Sequence, residues 1–397
     1  NSILKVNISS YMKSACAVGV EFESSIHLDE LICVSGFVFH VACAVSLSYS
    51  LTILDAGYNE CVYLLVVLVG CCCFFFVCCV DIKMHLTDKN LGTVATEMLS
   101  KLPHSMPDTT VANMVPILWN KMWGSAPGKK IGYTTWEAHR LPTDWVKICN
   151  SVDAIWTTSD WNKTVMTDSG VTVPVFAIKP TVSVGKLKSP RVAHDRFTFL
   201  SSFQWSERKN PSGLIRAFVA AFDQNKNVRL VIKTHGSAVV RQEIQKIIKN
   251  TQAVSPPAIE VIDSIVDRAD ISKLYGMADA FVSLSHGEGW GLPAWEAAQY
   301  GLPVLHTGWS APVEFIQTLG QINYNLVPIY GMEKSVSPFF ESSHMWAEPH
   351  LDIAVDMMRS VVDRYSDWAA NAHIWQHSLC GKYSKANLVS QINQALE

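Results

Sequence analysis

The run Ser283-Leu-Ser-His-Gly-Glu-Gly-Trp-Gly-Leu-Pro-Ala-Trp-Glu296 is the most informative stretch of the chain. Its apolar start predicts a strand that ends at Leu284. Three glycines follow at alternate positions: Gly287, Gly289 and Gly291. Pro293 and Gly301 then mark the start and the end of a helix predicted over 293–300. Glycines let a backbone approach a ligand closely, and the N–H groups at a helix start favour a phosphate-type anion.

The chain from about residue 105 onward alternates between predicted strands and helices. Around the quoted run, strands are predicted over 197–202, 229–234, 259–262, 280–284 and 304–306, with helices over 212–223, 239–250, 270–277 and 293–300. An earlier set has strands over 108–115, 129–135, 152–159 and 173–178, with helices over 144–150 and 161–169. This alternation predicts an α/β fold of parallel sheets covered by helices.

The length of 397 residues suits two domains. A polar stretch over 183–195 is predicted to link them. We therefore predict an N-terminal Rossmann-like domain over 1–182 and a C-terminal, ligand-binding Rossmann-like domain over 196–365, facing each other across a cleft. Helices over 366–397 are expected to pack back on the N-terminal domain. The formal net charge is only -3, so no basic nucleic-acid-binding surface is predicted.

Residues 1–80 differ in composition from the rest of the chain. They hold nine of the eleven cysteines but only eight Asp, Glu, Lys or Arg residues. The apolar runs 31–54 and 61–80 each approach the roughly 20 residues that cross a bilayer. Two interpretations stay open: a membrane hairpin with both ends on the cytoplasmic side, or a buried strand and helix of an α/β domain. The cysteine spacing does not fit a zinc site.

Three cations follow predicted strands of the second set. Arg208 and Lys209 come after the strand over 197–202, and Lys233 ends the strand over 229–234. Because the strands are parallel, their carboxyl ends meet at one edge of the sheet, where the Gly-rich loop also lies. A planar guanidinium beside a compact ammonium would neutralise a diphosphate.

Two carboxylates flank the same predicted anion site. Glu288 lies in the loop and Glu296 lies in the following helix. Like charges repel, so neither is expected to bind phosphate. Carboxylates accept hydrogen bonds well, and sugar hydroxyls are therefore suitable partners. For Glu296, a structural role near the helix start is an equal alternative.

These segments together resemble the retaining glycosyltransferases of family 4, which have the GT-B fold. The resemblance covers roughly residues 105–390. Glu288 and Glu296 have the spacing of that family's Glu-x7-Glu signature. Ser206-Glu-Arg-Lys-Asn-Pro211 is similar to its phosphate-binding segment, and Trp346-Ala-Glu-Pro349 is typical of it as well.

The resemblance implies roles for individual residues. Glu288, Arg208 and Lys209 would be catalytic, with Glu288 on the donor sugar and the two cations on the diphosphate, while Glu296 would bind the ribose. The other implied donor-binding residues are Gly287, Gly289, Trp290, Gly291, Leu292, Lys233 and Ser285. The segment that would face the sugar or the acceptor contains Trp136, Glu137 and His139.

The same resemblance implies the chemistry. The donor would be a GDP- or UDP-linked hexose such as GDP-mannose, and the acceptor a glycan, a lipid or a protein-linked sugar. Neither a metal nor another cofactor would be needed, and the anomeric configuration would be retained. The expected location is the cytoplasm or the cytoplasmic face of a membrane, with residues 31–80 in contact with the bilayer in the second case.

Two other functions remain open. Residues 1–80 contain no clear Gly-rich first loop, which favours a catalytically inactive relative that binds a sugar nucleotide or a partner protein. A phosphorylase-like enzyme of the same two-domain shape would need pyridoxal phosphate on a lysine. A dinucleotide dehydrogenase is disfavoured, since no Gly-x-Gly-x-x-Gly opens a first strand–helix unit.

Overall fold

The computed structural model of the chain describes residues 109–123, 128–181, 195–234, 238–263, 268–329 and 339–397, together with four short strands nearer the N-terminus. These strands are β1 (Cys33–Val34), β2 (Phe37–Val38), β3 (Ser50–Ile53) and β4 (Tyr63–Val66), which form two antiparallel pairs, β1 with β2 and β3 with β4. The remaining residues of the predicted membrane hairpin, and nearly all of the predicted linker, lie outside the described residues. Both therefore stay predictions. None of the described helices is long and apolar enough to span a bilayer.

The chain divides into two compact units, residues 1–133 and 134–397. In the first unit, β5 (Thr109–Asn113) pairs in parallel with β6 (Lys129–Tyr133), and the short helix α1 (Trp119–Trp123) lies between them in sequence. Gly132 is required there, because a Cβ at this position would come within 2.2 Å of the Trp119 ring.

The second unit begins with two helices and a pair of parallel strands. Helix α2 (Thr143–Cys149) precedes β7 (Ala154–Thr157), and helix α3 (Asp160–Asp168) connects β7 to its parallel neighbour β8 (Val175–Ala177). Ser159 begins α3, since its hydroxyl accepts the backbone N–H of Asn162.

Six strands of the described residues 195–322 form one parallel sheet. They are β9 (Phe197–Ser202), β10 (Val228–Thr234), β11 (Ala258–Asp263), β12 (Ala280–Ser283), β13 (Val304–Thr307) and β14 (Gln321–Ile322). Their spatial order is β11-β10-β9-β12-β13-β14, with β9 and β12 as the central neighbours. The order reverses direction between these two strands, and ligands of such sheets bind at this switch point.

Helices cover this sheet. They are α4 (Pro211–Phe222), α5 (Ala238–Asn250), α6 (Arg268–Gly276) and α7 (Leu292–Gln299). Apolar residues at helical spacing on α4, such as Leu214, Phe218 and Phe222, are almost fully buried and pack with Phe199 of β9. The burial of each such side chain stabilises the folded protein by about 1.5–3 kcal/mol.

The last described residues form a hairpin and three helices. Strands β15 (Tyr324–Pro328) and β16 (Met345–Pro349) are antiparallel, and α8 (Leu351–Asp363), α9 (Tyr365–Lys382) and α10 (Lys385–Leu396) follow. Helix α8 packs on α4. Helix α10 reaches back to the end of β8, where Gln391 Oε1 accepts the backbone N–H of Lys179 at 2.8 Å.

The structure confirms the α/β fold with parallel sheets. The strands and helices predicted between residues 105 and 310 are present, with ends that differ by at most two residues. The helix predicted over 293–300 is Leu292–Gln299, and the strand predicted over 108–115 is Thr109–Asn113. The division into domains at 182 and 196 stays a prediction.

Candidate functional site

The candidate site forms where the loops after β9 and β12 meet. These strands are direct neighbours and run in the same direction, with Ala280 opposite Phe199. The loop after β9 contains a 3-10 helix, Glu207–Lys209, and the loop after β12 contains the Gly-rich run. The backbone N–H of His286 donates to the carbonyl of Arg208 at 2.8 Å, which joins the two loops.

Arg208 and Lys209 both contact Glu288. The Lys209 Nζ lies 2.6 and 2.7 Å from the two carboxylate oxygens, and Arg208 Nη1 lies 3.2 Å from Oε2. Arg208 Nη1 also donates to the carbonyl of Gly287 at 2.6 Å. The three side chains are between 11% and 18% exposed. The sequence correctly predicted that these groups share one edge of the sheet, but not that the carboxylate pairs with both cations.

The electrostatics of this cluster favour full ionisation of the carboxylate. Burial raises the pKa of Glu288, but the charges of Lys209 and Arg208 outweigh burial and lower the pKa to about 2. Burial lowers the pKa of Lys209, as does the neighbouring Arg208, while Glu288 opposes this shift. His286 stays neutral at pH 7, because burial lowers its pKa to about 4 and Arg208 adds to that shift.

A second carboxylate approaches Arg208 from another loop. Glu137 Oε1 lies 3.7 Å from Arg208 Nη2. Glu137 and Glu288 therefore sit on different nitrogens of one guanidinium. Two cations and two carboxylates therefore balance each other in this cluster.

The glycines of the loop allow close approach of two chain segments. A Cβ on Gly287 would lie 2.2 Å from the Glu137 carbonyl oxygen, and a Cβ on Gly289 would lie 2.6 Å from the Thr135 hydroxyl. Gly291 has a φ of 87°, a left-handed conformation from which α7 begins. The sequence predicted that these glycines let the backbone approach a ligand closely; in the structure, Gly287 and Gly289 approach residues 135–137 closely.

The other predicted donor-side polar residues lie on α7, on β10 and in the loop after β12. Glu296 Oε2 accepts a hydrogen bond from the Tyr275 hydroxyl at 2.8 Å, which fixes the carboxylate at the end of α6. Burial and this carboxylate raise the pKa of Tyr275, so it stays a donor. Lys233 Nζ donates to the carbonyl of its neighbour Thr234 at 3.1 Å. Ser285 is buried, with its hydroxyl 3.2 Å from the Arg208 carbonyl.

Two predicted donor-binding residues differ sharply in exposure. The Trp290 side chain is 4% exposed and packs in an aromatic cluster with Trp295, Phe315 and Tyr383. This indole is thus part of the core, and only the Trp290 backbone can face a ligand. Leu292, in contrast, is 43% exposed at the start of α7.

The predicted acceptor-side residues are held by the fold in different ways. The Trp136 ring is buried against Trp145 and Phe340, and its Nε1 donates to the Arg140 carbonyl. His139 Nδ1 accepts the backbone N–H of Met345 at 2.8 Å. Of these three side chains, only Glu137 reaches the charged cluster of Arg208, Lys209 and Glu288.

Sequence reasoning missed several residues that support the loop. Ser310 Oγ accepts the backbone N–H of Glu288 at 3.0 Å, and the Gly289 carbonyl accepts hydrogen bonds from Thr158 and Asn162. The spacing of Ser159 and Asn162 at a helix start was a usable signal for a cap, but not for a contact with residue 289. Within the described ranges, no three His, Cys, Asp or Glu side chains converge as metal ligands would.

Comparison with known proteins places this site in a family context. Residues 186–321 match the sequence model described as glycosyl transferases group 1. This segment contains Arg208, Lys209, Glu288 and Glu296. No curated protein matches the chain.

Several solved structures share the fold at low identity. A mutant of S. aureus TarM in complex with fondaparinux, alpha-GlcNAc-glycerol and UDP is 15% identical, with a TM-score of 0.54 over 70% of this chain and 53% of that chain. Sucrose-phosphate synthase from Thermosynechococcus elongatus is 13% identical, with a TM-score of 0.54 over 76% and 75% of the two chains. Anabaena Alr3699/HepE in complex with UDP and glucose is 13% identical, with a TM-score of 0.53 over 73% and 78%.

These similarities concern the fold. The chain spans about half the length of the TarM structures that it matches. The parallel-sheet α/β fold is that of the GT-B glycosyltransferases, as the sequence predicted.

Proposed function

We propose that the chain is a retaining glycosyltransferase that moves a hexose from a nucleotide-diphosphate sugar to a glycan, lipid or protein-linked acceptor. The main supporting observation is the pair of largely buried cations, Arg208 and Lys209, beside a Gly-rich loop at the carboxyl edge of the parallel sheet. The match of residues 186–321 to glycosyl transferases group 1 supports the same class of reaction.

The two cations would stabilise the leaving group. When the bond between the anomeric carbon and the diphosphate oxygen breaks, the electron pair stays on the nucleoside diphosphate. Arg208 and Lys209 would neutralise that charge in a site largely closed to water, where such stabilisation is strong. The N–H groups at the start of α7 would add to it. On this proposal, no metal ion is needed at the diphosphate.

The two glutamates of the Glu-x7-Glu spacing would then act on different parts of the donor. Glu288 bonds to Lys209. We propose that Glu288 turns to the hydroxyls of the donor sugar when a diphosphate occupies the cations. Glu296, held by Tyr275, would accept the ribose hydroxyls. UDP is present in two of the similar structures, which supports a nucleoside diphosphate as leaving group.

A panel of UDP- and GDP-hexoses tests the proposal. A donor should raise the melting temperature of the protein by mass action. The protein with that donor should then release free nucleoside diphosphate, in excess EDTA, at a rate that an acceptor increases. Binding without release, with or without acceptors, would instead favour the inactive sugar-nucleotide-binding relative. Release that stops in EDTA and returns with manganese or magnesium would contradict the metal-independent part.

A further inference from the structure

Asn162 connects the two loops that surround Arg208. It lies on α3, is fully buried and belongs to neither loop. Its Oδ1 accepts the backbone N–H of Trp136 at 2.7 Å. Its Nδ2 donates to the carbonyl of Gly289 at 2.9 Å and to Ser159 Oγ at 3.0 Å.

The orientation of this amide is fixed by its partners. The backbone N–H of Trp136 can only donate, so it requires the amide oxygen, and the carbonyl of Gly289 can only accept, so it requires the NH₂ group. One acceptor bond and two donor bonds satisfy most of what a buried Asn can make. The Gly289 carbonyl receives a second bond, from Thr158 Oγ1 at 2.7 Å.

The two backbone positions held by Asn162 adjoin the two carboxylates of the charged cluster. Trp136 directly precedes Glu137, and Gly289 directly follows Glu288. Those carboxylates contact Arg208 on Nη2 at 3.7 Å and on Nη1 at 3.2 Å. A single buried amide thus fixes the chain next to both groups that orient the guanidinium.

We propose that Asn162 is a positioning residue that sets the separation of Glu137 and Glu288 around Arg208, and thereby the geometry of the diphosphate clamp and of Glu288 at the donor sugar. This role rests on the proposed function. Asn162 does not reach the cluster itself; it acts through the backbone of Trp136 and Gly289. Its effect should therefore fall on turnover more than on the fold.

Asn162→Asp tests this with almost no change in shape. A carboxylate cannot donate, so the Gly289 carbonyl loses one bond and faces a negative oxygen. Misplacement of catalytic groups by about 1 Å costs up to about 100-fold in rate. We expect kcat for nucleoside diphosphate release, counted per binding site from a nucleotide titration, to fall about tenfold or more, with a smaller rise in the donor KM.

Asn150→Asp is the control, at an exposed asparagine with a similar pattern of hydrogen bonds. Asn150 also donates to a glycine carbonyl, that of Gly170, and accepts a backbone N–H, that of Thr172, but it lies outside the site. Its per-site kcat should equal that of the wild type. If Asn162→Asp folds and keeps the wild-type kcat and KM, the inference is overturned.

Thr158 provides a second test if Asn162→Asp does not fold. Thr158→Val removes the other donor to the Gly289 carbonyl without adding charge, and Thr158→Ser keeps that donor. We expect Val to lower per-site kcat and Ser to restore most of it. Equal kcat in Val, Ser and wild type would overturn the inference. Absence of nucleotide binding and turnover in the wild type is a different outcome, which would contradict the proposed function itself.

Discussion

At the scale of single residues, the two cations of the candidate site form ion pairs with carboxylates. Lys209 contacts both oxygens of Glu288, and Arg208 lies between Glu288 and Glu137. Charges that are largely withdrawn from water are stable only when paired, so these ion pairs stabilise Arg208 and Lys209 in the folded protein.

Glu288→Gln tests the electrostatic role of this carboxylate in folding. The folded-state pKa of about 2 lies below the ordinary value of 4.5. Ionised Glu288 therefore stabilises the fold above pH 4.5, and this contribution is lost as the pH falls toward 2. We expect the variant to be less stable than wild type by about 3 kcal/mol at pH 7, with the difference shrinking between pH 4.5 and 2. Chemical denaturation across this pH range measures it.

Glu260→Gln serves as the control for that experiment. Glu260 is about half exposed and lies 3.4 Å from Arg229. Exposed pairs contribute little, so the variant should stay within about 0.5 kcal/mol of wild type at pH 7. A Glu288→Gln protein as stable as wild type at neutral pH would show that the cluster does not depend on this charge.

At the scale of elements, the site depends on the meeting of the loops after β9, β12 and β13 and residues 135–137. Glycine is the residue type that permits the closest approaches. We expect Gly289→Ala to push the loop away from Thr135, because the added Cβ would lie 2.6 Å from the Thr135 hydroxyl. Nucleoside diphosphate release should fall at least about tenfold, since misplaced groups lose catalytic geometry.

Gly381→Ala is the matched change on a helix surface. A Cβ on Gly381 would meet no atom within 4 Å, and the residue lies in α9. Alanine favours a helix over glycine by about 0.5–1 kcal/mol, so this variant should keep its activity and melt slightly higher. Equal activity of the two variants would mean that the contact with Thr135 has no catalytic importance.

The elements and the location of the site could be predicted from the sequence because both depend on local patterns. Alternating apolar runs indicated the strands. Parallel strands bring Arg208, Lys209 and Glu288 to one edge of the sheet, because all three follow the carboxyl ends of strands. The pairing of Glu288 with Lys209, the buried position of the Trp290 ring and the role of Asn162 could not be predicted. Each depends on contacts between residues far apart in sequence, and the sequence gives no measure of those distances.

At the scale of the whole molecule, a partly buried ion cluster connects segments far apart in residues 134–397. Lys179 Nζ pairs with Asp160 and, at 2.9 Å, with Glu314 Oε2, while Glu314 Oε1 accepts the backbone N–H of Trp161. The Glu314 carbonyl accepts the Tyr383 hydroxyl at the end of α9. This cluster holds α3 and the end of β8 against the helices that follow the sheet.

Lys179→Met should therefore lower the free energy of unfolding without changing a residue of the candidate site. Burial lowers the pKa of Lys179, but Asp160 and Glu314 outweigh burial and raise the pKa. The charge is therefore present at pH 7. Its contribution to the free energy of unfolding is lost only above the ordinary pKa of 10.5. We expect a loss of about 1–3 kcal/mol at pH 7, because Glu314 is left without its partner. Thermal unfolding measures this loss, with Lys163→Met at an exposed lysine as the control. Equal stability of the two variants would contradict the account.

The N-terminal apolar runs lead to a separate prediction for the full chain. If residues 31–54 and 61–80 form the membrane hairpin, the protein should sediment with membranes and resist extraction by carbonate. A full-length protein that stays monomeric in buffer without detergent would instead favour the buried α/β interpretation.

The central claim is that Arg208 and Lys209 form the diphosphate site. Isothermal titration of the protein with UDP and with GDP, in EDTA, tests it most directly. We expect one of them to bind at a single site.

Lys209→Ala should weaken that binding by about 1.5–3 kcal/mol, or roughly 10- to 100-fold, because a charge-assisted contact is lost. Lys226→Ala is the control. Lys226 is exposed at the opposite edge of the sheet and bonds to the carbonyl of Pro256. This variant should bind the nucleotide as the wild type does. A folded Lys209→Ala protein that binds as tightly as wild type, or a wild type that binds neither nucleotide, would contradict the claim.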